Sequence, residues 1–236
     1  MLMSSKRMQR ARASVLVLSM CACSTRAAED STRPPAPSVA PAPAAAAVVQ
    51  GPKVAFLGDS ISAGLHLPSD QAFPAVLQRT LAARGKPFEL LNAGLSGDTS
   101  AGGLRRVDWI LKQKPALVVV ELGANDGMRG QPIGEIEQNL RAIIERIHER
   151  GAAVLLLGMR LPPSYGQSYA EGFDAIYPRI ATELKVDFVP FFMQSVATDP
   201  KLNLPDGIHP TQQGHERLAE TVAGPLERAL AALPQR

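Results

Sequence analysis

Short apolar runs alternate with longer amphipathic stretches along most of this chain, and this alternation limits the fold more than any other feature of the sequence. The apolar runs have the composition of strands buried on both faces, and they cover residues 54–57, 88–91, 116–120, 153–157 and 186–192. The amphipathic stretches have the spacing of helices and cover residues 71–84, 104–112, 133–150, 169–184 and 211–233, the last with Pro225 expected to break or bend it. Repeated strand–helix units form parallel sheets with helices on both faces. The sequence therefore predicts an α/β protein, a three-layer α/β/α sandwich with a central five-stranded parallel sheet.

The first 23 residues have the features of an export signal. A basic segment, residues 6–12, precedes the apolar run 13–20. Because that run is about half of the roughly twenty residues that cross a bilayer, it favours a signal peptide over a membrane span. Cys23 follows the small residue Ala22, an arrangement that resembles a bacterial lipoprotein signal. We therefore expect export to the bacterial cell envelope, with Cys23 lipidated and tethered to a membrane, or else simple cleavage into the periplasm.

Residues 24–50 contain five prolines, many alanines and no aromatic side chain. Such a segment cannot bury enough apolar surface to offset the entropy lost on ordering, so we expect a disordered tether. Residues 51–236 form the expected single folded domain, and because both cysteines precede it, it has no disulfide or thiol nucleophile. The chain has a net charge of +3, of which residues 1–50 carry +4, leaving the domain at −1. That balance argues against nucleic acid as a partner, and we expect a monomer that binds a small substrate.

Small and polar residues follow the predicted strands, at the edge where ligands of open parallel sheets bind. The first strand is followed by Gly58-Asp59-Ser60, the second by residues 92–99, the third by Gly123-Ala124-Asn125-Asp126 and the fifth, after a loop, by Asp206-Gly207-Ile208-His209-Pro210. Each motif alone is ordinary turn chemistry. Four motifs at one edge of a sheet predict a functional site.

Ser60 is the expected nucleophile of this site, with His209 as its general base. A serine hydroxyl is a poor nucleophile unless a base accepts its proton. Asp206, three residues before His209, can orient the ring and stabilise the imidazolium that forms during attack. Pro210 is expected to hold His209 at the start of the last helix, beside the positive end of the helix dipole. The remaining histidines are expected to face solvent: His66, His148 and His215.

Acyl transfer also needs hydrogen-bond donors for the developing oxyanion. The candidates are the backbone amides of Ser60 and Gly97 and the side chain of Asn125. Residues 160–165 follow the fourth predicted strand and are stiff and apolar, so we expect them to border an acyl groove, the alternative being a plain connecting loop. The expected substrate contacts in this segment are Leu161, Pro162, Pro163 and Tyr165.

The four motifs resemble, in order and spacing, the four blocks of the SGNH (GDSL) hydrolases. Three wider stretches look like the branch with thioesterase I, lysophospholipase L1 and bacterial arylesterases, and they are residues 120–127, 160–166 and 176–178. The resemblance covers about residues 53–232. It implies a flavodoxin-like fold, the triad Ser60-Asp206-His209, oxyanion donors at Ser60, Gly97 and Asn125, and no cofactor or metal. It also implies hydrolysis of aryl esters, acyl-CoA or lysophospholipid through an acyl-enzyme.

Other functions remain open from the sequence. A classical α/β-hydrolase would place its serine in a G-x-S-x-G elbow, which the segment around Ser60 lacks. A metallophosphoesterase would need a cation held by acidic and histidine side chains, for which the candidates are Asp59, Asp126, Asp206 and His209. A polysaccharide or cell-wall O-acetylesterase of the same fold would share the chemistry. A non-catalytic, tethered lipid-binding protein would carry the triad without using it.

Overall fold

A computed structural model describes residues 51–234 of the chain. Five strands form one sheet, and they are β1 (Lys53–Gly58), β2 (Glu89–Asn92), β3 (Leu117–Glu121), β4 (Ala153–Leu157) and β5 (Asp187–Val189). All neighbours in the sheet are parallel, in the order β2-β1-β3-β4-β5. The expected signal peptide (1–23), the tether (24–50) and Cys23 lie outside the described residues.

In residues 51–234 eight α-helices lie between the strands or after the last one, and they are α1 (Ser60–Ala63), α2 (Phe73–Ala83), α3 (Ser100–Leu111), α4 (Ala124–Met128), α5 (Ile133–Glu149), α6 (Gln167–Asp174), α7 (Ile176–Leu184) and α8 (Gln212–Ala231). Helix α2 packs against α8, whereas α3 packs against α5 and α5 against α7. Right-handed crossovers in this strand order put the first pair on one face of the sheet and the second group on the other. The predicted three-layer α/β/α sandwich with a five-stranded parallel sheet is confirmed.

The core lies between the sheet and its helices, and its residues follow the periodicity of each element. Strand β3 is buried at all five positions, since both of its faces are covered. Helix α5 buries one stripe, formed by Ile136, Leu140, Ile143, Ile144 and Ile147. On the other face the ring of Phe73 packs 5.7 Å from that of Phe56 and 5.8 Å from that of Phe192, measured between centroids.

The predicted boundaries fail mainly at prolines. The run 186–192 leaves the sheet after Val189, because Pro190 has no N–H for the ladder. The segment 169–184 is two helices, α6 and α7, since the ring of Pro178 would clash with the carbonyl of Asp174 in one continuous helix. By contrast, α8 continues through Pro225, so of the two outcomes expected there, a break or a bend, the break is wrong. The buried residues Val222 and Leu226 hold both halves of α8 against the core.

None of the helices in residues 51–234 combines the length and the apolar character that crossing a bilayer takes.

Candidate active site

The turns after the strands meet at the carboxyl edge of the sheet, as expected for parallel strands. Ser60 begins α1, directly after β1, and Asp59 caps this helix by accepting a hydrogen bond from the Ile61 N–H at 2.9 Å. Asn125 lies in α4, just beyond β3. His209 lies in the loop between β5 and α8. The topology therefore brings together three segments that are up to 149 residues apart in the chain.

Ser60, His209 and Asp206 form a continuous hydrogen-bonded chain. Ser60 Oγ lies 2.9 Å from His209 Nε2, and His209 Nδ1 lies 2.8 Å from Asp206 Oδ2. The other oxygen of Asp206 accepts the backbone N–H groups of Ile208 and His209, at 2.9 and 3.0 Å. The hydrogen bonds from the backbone and ring of His209 hold the pKa of Asp206 well below its ordinary value. Asp206 is therefore a carboxylate that accepts the Nδ1 proton, which leaves Nε2 free to accept a proton from Ser60.

The loop that carries His209 is fixed by backbone contacts. The His209 carbonyl accepts the Leu204 N–H at 2.7 Å, and Asn203 pairs with Pro210 in an isolated antiparallel bridge. Helix α8 begins only at Gln212, with Thr211 as its N-cap. The expectation that Pro210 places His209 at the start of that helix is wrong, because Pro210 lies in the bridge, before the cap.

The three expected oxyanion donors lie around the Ser60 turn. Asn125 Nδ2 donates one hydrogen bond to Asp59 Oδ2 at 3.0 Å, which leaves its second N–H free to point elsewhere. Gly97 has a φ of +78°, a conformation that glycine adopts without strain. Within residues 51–234, neither the Gly97 amide nor the Ser60 amide donates to another protein group. Both amides therefore remain available to a ligand.

Arg106 of α3 ties these turns together and was not anticipated from the sequence. Its guanidinium donates to the Gly58 carbonyl at 2.9 Å, to the Ala93 carbonyl at 2.5 Å and to Asp98 Oδ2 at 2.7 Å. Two of these acceptors are backbone carbonyls, which no side-chain pattern reveals. Arg106 thus fixes the turn before Ser60 relative to the turn that contains Gly97.

A pair of buried acids, Asp59 and Glu121, lies beneath the Ser60 turn. Glu121 is fully buried at the end of β3, and its Oε2 accepts the Ser62 hydroxyl at 2.7 Å and the Asp59 and Ser62 amides at 3.2 and 3.3 Å. Burial raises the pKa of Glu121 well above its ordinary value, and the charge of Asp59 adds to this effect. Burial also raises the pKa of Asp59, to about 6. A glutamate that directly follows the apolar run of β3 is the sequence signal that could have singled out this residue.

The four side chains considered as cation ligands are not gathered into one cluster. Asp126 is used elsewhere, since it accepts the Ser100 hydroxyl at 2.6 Å and the Ser100 amide at 2.8 Å. Across the described part of the chain, no group of three or more His, Cys, Asp or Glu side chains has the arrangement of a metal site.

His66 and His148 are exposed, as expected, but the expectation that His215 faces solvent is wrong. His215 is 1% exposed, and its Nδ1 accepts the Phe73 N–H at the start of α2, at 3.1 Å. Its ring stacks on that of Phe73. The signal was present in the sequence, since His215 shares an i, i+3, i+4, i+7 stripe with the buried residues of α8. Burial lowers the pKa of His215 to about 4, with a smaller contribution from His209.

We expect His215 to make the protein less stable in acid. The folded state disfavours the imidazolium, so the unfolded chain binds more protons between pH 6.5 and about 4. The stabilisation from neutral His215 is present above pH 6.5 and falls as the pH drops through this range, by about 3 kcal/mol in total. The free energy of unfolding in urea should therefore fall more steeply between pH 7 and 4 for the wild type than for His215→Asn, which keeps an acceptor for the Phe73 N–H. Parallel curves for the two proteins would contradict this assignment.

A cavity of about 450 Å³ opens beside Ser60. Its wall is mainly apolar and includes Met128, Met159, Leu161, Pro162, Pro163, Tyr165, Phe191, Met193 and Ile208. The guanidinium of Arg160 lies 5.6 Å from the centre of the Phe191 ring. The four expected substrate contacts are Leu161, Pro162, Pro163 and Tyr165. All of them line this cavity, and so does Ser60.

Comparison with known proteins finds relatives that belong to one family of hydrolases. Residues 56–217 match the GDSL-like Lipase/Acylhydrolase family. Esterase TesA of Pseudomonas aeruginosa is 46% identical over 167 residues, which cover 70% of this chain and 83% of that protein. Thioesterase 1/protease 1/lysophospholipase L1 of Escherichia coli K12 is 42% identical over 172 residues, covering 72% and 81%. A crystal structure of TesA superposes with a TM-score of 0.73 at 44% identity, covering 75% of this chain and 99% of that one.

Proposed function

Because the chain belongs to the GDSL-like lipase/acylhydrolase family of serine hydrolases, we propose that it hydrolyses acyl esters and thioesters through an acyl-enzyme on Ser60. The observation that carries this proposal is the hydrogen-bonded chain from Ser60 Oγ through His209 to Asp206. Its geometry is that of a nucleophile, a general base and a carboxylate that orients the base.

The reaction follows from this geometry in two steps. Ser60 Oγ attacks the acyl carbon while His209 Nε2 takes its proton, and Asp206 stabilises the imidazolium. The carbonyl oxygen becomes an oxyanion, which then collapses and expels the alcohol or thiol, protonated by His209. Water attacks the acyl-enzyme with His209 again as base, which releases the carboxylic acid and restores the Ser60 hydroxyl.

The oxyanion is stabilised by the amides of Ser60 and Gly97 and by the side chain of Asn125. Donors that are already oriented in a site of low dielectric stabilise charge without reorganising during the reaction. Arg106 and Asp59 provide this orientation here, because Arg106 fixes the Gly97 turn against the Ser60 turn and Asp59 holds Asn125.

Asn125→Ala should lower kcat by about 10²–10³, the usual loss for one oxyanion donor, with little change in KM. The charge that Asn125 would stabilise exists only in the transition state, so substrate binding should be nearly unaffected. Steady-state kinetics with an aryl ester measure both constants, and unchanged thermal unfolding serves as the control for folding. An effect confined to KM would instead assign Asn125 to ground-state binding.

The apolar cavity is the proposed acyl site. Its volume lies within the range of small-molecule sites, about 300–1,000 Å³, and three of its wall residues are methionines, whose flexible side chains adapt to different shapes. A series of aryl esters of increasing acyl length, with acyl-CoA and lysophospholipid alongside, tests the substrate class. Activity confined to acetyl esters would support the O-acetylesterase alternative, and a protein inactive on every ester would support the non-catalytic one.

Replacing Pro162 and Pro163 by Gly should shift the preferred acyl length in this series. The two prolines form a stiff part of the cavity wall, and glycine makes that wall mobile. Pro68→Gly is the matched control, since Pro68 is exposed and lies outside the cavity. A profile identical to that of the wild type would mean that residues 160–165 are a plain connecting loop.

Export to the cell envelope, with Cys23 lipidated and residues 24–50 as a tether, remains our proposal for the N-terminal segment. It rests on the sequence features of residues 1–50. Mass spectrometry of the membrane fraction should find an acylated peptide that begins at Cys23, and a soluble product cleaved elsewhere would refute it.

A further inference from the structure

Glu121 is a buried acid that the proposed mechanism does not use, yet it is placed directly beneath the nucleophile. In the register of β1 and β3 it is the partner of Gly58, where the Ser60 turn begins. A Cβ at Gly58 would overlap Ser62 Oγ and lie 2.6 Å from Glu121 Oε2. Gly58 therefore leaves the space that the Glu121 carboxyl needs to reach the turn.

The two oxygens of Glu121 have different surroundings. Oε2 accepts three hydrogen bonds, from the Ser62 hydroxyl and from the amides of Asp59 and Ser62. Oε1 is buried and accepts no hydrogen bond from the described residues. A buried carboxylate oxygen without a donor would be left with uncompensated charge, which is costly in a protein interior. A proton on Oε1 removes this cost and turns the atom into a donor.

Asp59 is the candidate acceptor for that proton. Its side chain is 2% exposed, and its backbone N–H donates to Glu121 Oε2 at 3.2 Å, so the two acids lie side by side beneath the Ser60 turn. Two buried carboxyl groups in contact cannot both ionise at low cost, so one keeps its proton. The raised pKa of Glu121 is consistent with Glu121 holding that proton while Asp59 ionises.

We propose that Glu121 is a positioning residue that acts in its protonated form, donating from Oε1 to the Asp59 carboxylate. Asp59 then accepts three donors, from Glu121, from the Ile61 amide and from Asn125 Nδ2. The first fixes Asp59, the second fixes the Ser60 turn, and the third fixes the proposed oxyanion donor. Glu121 thus sets the relative position of Ser60 and Asn125 without touching the substrate.

Several other groups lie around this acid pair. His209 is hydrogen-bonded to Ser60, the residue after Asp59. Burial raises the pKa of the Tyr177 phenol well above its ordinary value, with smaller contributions from Asp126 and from both acids. Arg106 is bound to the Gly58 carbonyl and to Asp98. His209, Tyr177 and Arg106 contain no carboxyl group, and a carboxylic acid signal that disappears in Glu121→Gln belongs to Glu121 and to no other acid.

Infrared difference spectroscopy on the full chain at pH 8 tests the protonation state directly. Asp59, with a pKa of about 6, is ionised at this pH. We expect the wild type to show the carbonyl stretch of a protonated carboxylic acid, shifted in D₂O and absent from Glu121→Gln. No such difference between the two proteins would overturn the proposal.

Kinetics of two variants test the positioning role. In Glu121→Gln, the amide can donate to Asp59 while its oxygen accepts the three donors, so kcat should fall less than about threefold. Glu121→Leu removes all of these contacts, and displacing a catalytic group by about 1 Å can cost 10²-fold. We expect its kcat to fall by about 10–10², with KM changing less than threefold.

A loss in Glu121→Gln as large as in Glu121→Leu, or wild-type kcat in Glu121→Leu, would overturn the positioning role. If Glu121→Leu does not fold, the kcat of Glu121→Gln and the infrared band of the wild type still test the proposal. The inference rests on the proposed roles of Ser60 and Asn125. Reaction of the wild type with a serine-directed phosphonate distinguishes a failure of the proposed function from a failure of this inference. An unlabelled Ser60 contradicts the proposed function, whereas the infrared result reports on Glu121 alone.

Discussion

Ser60→Ala should reduce kcat for ester hydrolysis by on the order of 10⁵–10⁶, to the level that oxyanion and binding contacts alone sustain. The substitution removes the only atom that can form the acyl-enzyme in the proposed mechanism, and it deletes the donor end of the hydrogen bond to His209 Nε2. The measurement is kcat on a reactive aryl ester, with enough enzyme to detect slow turnover.

Ser96→Ala is the matched control for this experiment. Ser96 follows β2 at the same edge of the sheet and is exposed, and among the described residues the ring of His209 hydrogen-bonds Ser60 and Asp206 rather than Ser96. It should retain nearly full activity. Wild-type activity in Ser60→Ala, or a comparable loss in Ser96→Ala, would contradict the assignment of Ser60 as nucleophile.

Asp206→Asn should lower kcat by about 10²–10⁴. The asparagine oxygen can still accept the Ile208 and His209 amides, so the loop is retained and the new NH₂ group faces His209 Nδ1. Donation from that NH₂ stabilises the tautomer with its proton on Nε2, which cannot act as a base toward Ser60. The equivalent change in a serine-protease triad costs about 10⁴ in kcat, and the short loop with its backbone contacts should moderate the loss here.

Asp199→Asn is the control for this substitution, since Asp199 is exposed and precedes the same loop, and within residues 51–234 its side chain hydrogen-bonds only the Lys201 amide. The double variant Ser60→Ala with Asp206→Asn should be scarcely worse than Ser60→Ala, because residues that act as one unit do not contribute independently. A loss below about threefold in Asp206→Asn, or losses that multiply in the double variant, would contradict the triad. Asp98 and Asp126 would be poor replacements, because they bind Arg106 and Ser100.

The parts of the site that follow strands could be anticipated from the sequence, because parallel strands deliver their carboxyl ends to one edge. Ser60, Asn125 and His209 were found in this way. Arg106 was not, since its partners are mainly backbone carbonyls. The burial of Glu121 and His215 could be predicted from the sequence pattern, but their contacts could not, because these come from distant elements: the Ser60 turn for Glu121 and the start of α2 for His215.

The bounds of the strands and helices could likewise be predicted only where the local sequence determines them. The apolar runs predict the buried strands β1, β3 and β4. The run 186–192 contains only the three-residue strand β5, because Pro190 ends it. Helix α3 begins at Ser100, four residues before the predicted start, since Thr99 caps it by accepting the Gly102 amide and two glycines obscure its first turn. Capping therefore outweighs the low helix propensity of glycine at this position.

Peptide mapping by mass spectrometry, after reaction of the full chain with a serine-directed phosphonate, is the most direct test that Ser60 is the nucleophile. We expect one phosphonate per chain, attached to Ser60, with no labelling of Ser60→Ala and slower labelling of Asp206→Asn. Stoichiometric attachment to Ser62 or Ser96, or labelling of Ser60→Ala at the wild-type rate, would contradict it.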